Sequence, residues 1–162
     1  MLVSVRAGRL IVAALACAAL VLGVSTLAGK AGAQAGAVTH TCSPADRQFV
    51  QTVSANMFQL SFWSRELAAG STTAAVVVKQ TRAGSLQVDA TRPTDPTLAK
   101  TRPLLKAMFL AYATAVRARA HGGDAGTPMG ISYQFANDVH DLLADAQPGL
   151  ASKGCDVAVL LR

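Results

Sequence analysis

The chain has 162 residues, 51% of them hydrophobic and only 15% charged, with 15 basic residues against 9 acids and a net charge of +6. That length leaves room for one domain, and the apolar share is high for such a chain. Basic balance invites a nucleic-acid reading, but much of the surplus sits in the first segment, and without it the composition argues against that class.

Arg6 and Arg9 precede the apolar run Leu10 to Leu22, no acid occurs before Asp46, and the small-residue stretch Ala31 to Ala37 follows. A positive end, a short apolar run and A-x-A triplets are the three parts of a secretory signal peptide. Cleavage is expected after Ala35, within Ala33-Gln34-Ala35, with the sites after Ala33 and Ala37 as competitors. The rival reading is an uncleaved anchor, since Leu10 to Ala28 is 19 residues, although its strongest apolar core spans only 13. Cys17 lies too far inside the apolar run for a lipoprotein site. Arg6 and Arg9 are not adjacent, which favours the general export route over the twin-arginine one. The expected location is therefore secreted or extracytoplasmic, in the cell envelope, with the membrane met only transiently through residues 1–35.

Removing 35 residues leaves 127, with 12 basic residues against 9 acids and a net charge of +3. Cys17 leaves too, so Cys42 and Cys155 are the remaining thiols, near the two ends of the mature chain. Two cysteines in an oxidising compartment are expected to form one disulfide. Residues 36–41 read as a short leader and 42–162 as a single domain.

Ser43, Pro44 and Asp46 open the first helix, over about 44–69: a capping hydroxyl, a proline where no N–H is needed, and an acid at the positive end of the dipole. Phe49, Val53, Met57, Leu60, Ser64 and Leu67 recur at four and three residues, and Phe58, Phe62 and Trp63 are expected to widen that apolar stripe. Gly70 stops it.

The second element, over about 72–89 from Ser71 or Thr72, is ambiguous. Val76, Val77 and Val78 are β-branched and Gly84 lies inside the run, which would suit a strand. Length and the spacing of Val77, Gln80/Thr81, Gly84 and Val88 favour a helix. Pro93 and Pro96 bound a turn.

Asp95 and Pro96 start a third helix to about His121, through Leu98, Leu105, Met108, Phe109, Tyr112 and Val116. Pro103 either kinks it or marks its true start. After the loop His121 to Gly126, Thr127 and Pro128 are expected to cap a fourth helix over about 128–146, carried by Ile131, Phe135, Val139, Leu142 and Ala146 and ended by Pro148 and Gly149. The apolar tail from Cys155 through Leu161 should lie back on the helices. The expected fold is all-α, an up-and-down four-helix bundle with its C-terminal tail tied back by the disulfide.

A di-iron carboxylate site needs several glutamates and an E-x-x-H on each of two helices; Glu66 is the chain's one glutamate and no E-x-x-H occurs. His40, His121 and His140 fall in the leader, a loop and a helix, with no two at zinc-ligand spacing. Asp138, Asp141 and Asp145 read as the solvated face of the fourth helix. No G-x-S-x-G or phosphate loop occurs. The expectation is a non-enzymatic protein with no catalytic residue, metal or cofactor, whose only assigned site residues are Cys42 and Cys155.

Eight basic residues between Lys79 and Arg119 (Lys79, Arg82, Arg92, Lys100, Arg102, Lys106, Arg117, Arg119) face only Asp89 and Asp95 as acids, whereas the segment from Ala120 to Asp156 is acidic. The basic side of helices two and three suits an anionic envelope polymer or lipid headgroups, against the plainer reading that the two halves neutralise each other. Two function readings follow: an envelope-associated or secreted interaction module, or a carrier of haem or another apolar ligand in the bundle interior. The second draws on Met57, Met108, Tyr112, Tyr133 and His140 along apolar faces.

Overall fold

A computed structural model of the chain describes residues 41–161; the expected signal peptide, Cys17, His40 and most of the expected leader lie outside the described residues. The described chain is all-helical: α1 (Pro44–Ala68), α2 (Ala74–Ala90), α3 (Pro96–Ala120) and α4 (Gly126–Ser152), then a 3-10 turn at Ala158–Leu160. The β-branched run of Val76 to Val78 is helical, because Val77, Thr81, Gly84, Ser85 and Val88 recur with helical spacing and are all buried.

The caps follow local chemistry. Ser43 Oγ accepts from the Asp46 N–H at 3.0 Å, and Asp95 Oδ1 accepts from Thr97 and Leu98. α2 is capped by Thr73, two residues later than its sequence onset suggests. At α4 the capping group is Asp124, whose carboxylate accepts from the Gly126 and Thr127 N–H groups and the Thr127 hydroxyl. The helix therefore starts at Gly126, ahead of the Thr127-Pro128 pair. α1, α3 and α4 end in the same way: Gly70, Gly122 and Gly154 have φ of 74°, 70° and 78°. The next N–H reaches back to Glu66, Ala118 and Leu150 respectively.

Both internal prolines are absorbed rather than obeyed. Pro103 lies within α3 and Pro148 within α4, which runs six residues past the expected end at Ala146. Both rings are exposed. Continuing the helix past Pro148 sets Leu150 in the core and brings Cys155 to Cys42, and this tertiary gain outweighs the lost backbone bond.

Phe49, Val53, Val88, Leu98, Leu105, Phe109, Leu143 and Val157 form the centre of a core shared by all four helices and the tail. Leu160 and Leu161 pack against it, so the tail does fold back. The expectation for α1 fails at two aromatics: Phe58 is 68% and Phe62 41% exposed. α1 meets the core through Phe49 and Val53 and meets α2 through Asn56, which at about 100° per residue turns positions 58 and 62 outward.

Candidate functional site

One end of the molecule is a polar and covalent clamp. Cys42 and Cys155 are disulfide-bonded with Cα atoms 5.0 Å apart across 113 residues of sequence. Beside them the Asp46 carboxylate, only 5% exposed, accepts four hydrogen bonds. Its Oδ1 accepts from the Thr94 N–H at 2.6 Å and the Asp95 N–H at 2.9 Å, and its Oδ2 from the hydroxyls of Ser43 at 2.6 Å and Thr94 at 2.8 Å. Burial alone would raise its pKa; the donors from Asp95, Ser43 and Thr94 outweigh burial and hold it below the ordinary value. Lys153 Nζ completes the cluster on Asp95 Oδ2 at 3.0 Å.

Much of the basic surplus of α2 and α3 is spent on the C-terminus of α2. Lys106 pairs with Asp89 at 2.8 Å and holds that carboxyl below its usual pKa. Arg92 and Arg102 both donate to the carbonyls of Asp89 and Thr91, satisfying helix-end acceptors. Lys79, Arg82, Lys100 and Arg117 make no ion pair among the described residues. Asp138, Asp141 and Asp145 are exposed, with His140 Nδ1 3.3 Å from Asp141. His121 is the exposed C-cap of α3.

The opposite end carries the main concavity, a cleft of about 650 Å³ between the end of α1, the start of α2, the end of α3 and the start of α4. Leu67, Ala74, Ala115, Val116 and Met129 supply its apolar walls, with Ser64, Tyr112 and Arg119 as polar members. The Ser64 hydroxyl donates to the Leu60 carbonyl at 2.6 Å. Ser64 and Tyr112 oxygens lie 2.5 Å apart, so the Tyr112 hydroxyl is the donor between them. Its oxygen lone pairs remain as acceptors at the cleft, while Arg119, exposed and outside any ion pair among the described residues, supplies positive charge.

The soft residues singled out in the sequence converge only in part. Tyr112 lines the cleft; Met57, Met108 and His140 border a separate crevice of about 50 Å³ with Leu160. Tyr133 is 66% exposed. The bundle interior is packed; besides the cleft, a more polar concavity of about 460 Å³ lies between the first half of α1 and the end of α2, lined by Gln48, Thr52, Gln87, Ala90 and Arg92. Sequence reasoning missed Arg119 and Met129 as cleft members; the four-residue spacing of Tyr112, Val116 and Ala120 along α3 is the signal that marks that face. No group of three or more His, Cys, Asp or Glu suited to a metal occurs among the described residues.

Comparison with known proteins finds no matching family, no similar curated protein and no similar solved structure. The disulfide is consistent with an extracytoplasmic protein, and no helix among the described residues is long and apolar enough to cross a membrane.

Proposed function

We propose that the protein is an exported, non-catalytic binding module of the cell envelope that holds an apolar ligand with an anionic end in its α1–α4 cleft. The observation that carries this reading is the cleft itself. Its volume of about 650 Å³ falls within the roughly 300–1,000 Å³ of small-molecule sites, and mostly apolar walls with a few polar groups are their common design. Arg119 offers a cation to the ligand's anionic end. Haem, with its carboxylates, and long-chain fatty acids both have this chemistry.

Export is supported by the signal-like first 35 residues and by the Cys42–Cys155 bridge. An up-and-down order of helices is supported by contacts along their lengths: Asp46 with Thr94, Asn56 with Gln87, Ser64 with Tyr112, and Ser132 with the Met108 carbonyl. A non-catalytic role is supported by the absence from the sequence of a nucleophile or metal motif.

The test is titration of the oxidised protein with haem and, separately, with a fluorescent fatty acid. Saturable one-to-one binding of either probe, lost in Ala120→Trp, which fills the cleft from an exposed position, supports the reading. Arg119→Ala should weaken binding of the fatty acid but not of its methyl ester. Failure of both probes to bind, or binding indifferent to Ala120→Trp, overturns it.

A further inference from the structure

The cleft is one end of a longer seam. α1 packs on α2 and α4 on α3, while the backbones of α1 and α4 have no sustained contact with each other. Residues of α3 form the floor of the gap between them. Met108 borders the crevice of about 50 Å³, and Tyr112, one turn further along, lines the cleft. Those two positions are only about 6 Å apart along the helix axis. Hydrogen bonds fix the walls on either side of this floor: Ser64 of α1 meets Tyr112, and the Ser132 hydroxyl of α4 donates to the Met108 carbonyl at 3.1 Å. α4 follows the same course, with Met129 in the cleft and Ala136 and His140 in the crevice.

The seam is graded along its length. Arg119 is the one charged residue lining the cleft, whereas Val53, Leu105, Leu143 and Leu160 surround the crevice. At the crevice end the turn Ala158–Leu160 touches both α1 and α4 and closes the gap. Methionine is a second mark. Met57, Met108 and Met129 are the methionines of the described chain, and every one of them lines the seam. Such side chains are flexible and repack readily round an apolar guest. Length is a third. From Arg119 to Leu105 is fourteen residues of α3, or about 21 Å. One acyl chain fills about 15 Å, half the hydrocarbon thickness of a bilayer.

We infer that the ligand is an unbranched acyl chain with an anionic head, its carboxylate on Arg119 and its tail threaded past Tyr112 and Met108 to Met57 and Leu160. This rests on the proposed function of the cleft and narrows it. A flat, rigid macrocycle cannot enter so small a crevice; a chain one methylene wide can, once the methionines yield.

The three methionines are built-in reporters. The disulfide-bonded protein, carrying methyl-labelled methionine, is titrated with octanoate, laurate and palmitate below their micellar concentrations. Calorimetry gives the affinities, and NMR follows the methionine methyl signals. Affinity should rise by about tenfold or more at each step from octanoate to laurate to palmitate. Octanoate should shift the Met129 signal alone, and palmitate those of Met108 and Met57 as well. Met57→Gln, at a position 37% exposed, should weaken palmitate about fivefold or more and leave octanoate unchanged. Met57→Leu should leave both near their original values. Phe58→Gln, an equally polar change one position on and outside the seam, should affect neither. Circular dichroism checks that each variant is folded. Equal affinity for octanoate and palmitate, or palmitate binding that moves Met129 alone, overturns the inference and leaves the cleft reading standing. Binding of haem but of no fatty acid does the same. Failure of haem and all three fatty acids overturns both.

Discussion

Gly84 and Asn56 meet so closely that a Cβ on Gly84 would stand 2.7 Å from Asn56 Oδ1. Asn56 cannot easily yield. It is 4% exposed, and its amide donates to the Thr52 carbonyl at 2.8 Å and to Gln87 at 3.0 Å. The missing side chain lets α2 approach α1 at this point.

Gly84→Ala, which in an exposed helix would stabilise by up to about 1 kcal/mol, should here destabilise by about 1–3 kcal/mol through overpacking. Urea unfolding measures it, and a gain in stability would show that the contact relaxes freely.

The Asp46 carboxylate ties the start of α1 to the turn before α3. Asp46→Asn removes acceptor capacity and leaves buried donors unpaired, at a cost of about 2–3 kcal/mol. The pH dependence follows from the direction of the shifts. Asp46, Asp89 and Asp124 all have folded pKa values below the ordinary 3.8. For Asp124 the causes are the Thr127 hydroxyl and the N–H groups of Gly126 and Thr127. Carboxyls of this kind contribute stability that is fully present above the unfolded pKa. It is lost as pH falls through the lower, folded value. Urea midpoints should therefore be steady down to about pH 5 and drop below about pH 4, less steeply in Asp46→Asn.

Ser85 is 1% exposed and its hydroxyl has no partner among the described residues. An unpaired buried hydroxyl is a standing cost, so Ser85→Ala should be neutral or stabilising by up to about 1 kcal/mol. A loss above about 1 kcal/mol on thermal or urea melting would reveal a bond that Ser85 makes in solution.

Replacing Cys42 and Cys155 together by serine should lower stability by about 2–5 kcal/mol, as expected for release of a loop of this length. Reduction of the native protein should reproduce the drop, measured by the shift in melting temperature.

Legibility in the sequence tracked how local each determinant was. Ser43, Asp95 and Gly70 act within one helical turn, and the starts of α1 and α3 and the end of α1 fall within a residue of where those residues place them. Cys42 and Cys155 were a matter of counting. Pro148 misled because its local tendency to end a helix is overcome by Leu150 and Cys155, whose contacts lie far away in sequence. Phe58 and Phe62 misled for a different reason: periodicity reports that a face is apolar, not whether anything covers it. The cleft was illegible, since it is a space between four helix ends, and only Tyr112 among its lining residues looked unusual beforehand.

The disulfide, Asp46 and Lys153 all lie at the end away from the cleft. The molecule is therefore built like a pair of tweezers, riveted at the hinge and joined at the tips by the Ser64–Tyr112 hydrogen bond, apolar contacts and two short connections between helices. Parting the tips breaks no covalent link, so under the proposed function a guest would enter and leave while the hinge stays shut. Amide protons near Tyr112 and Met129 should accordingly exchange before those that surround Asp46.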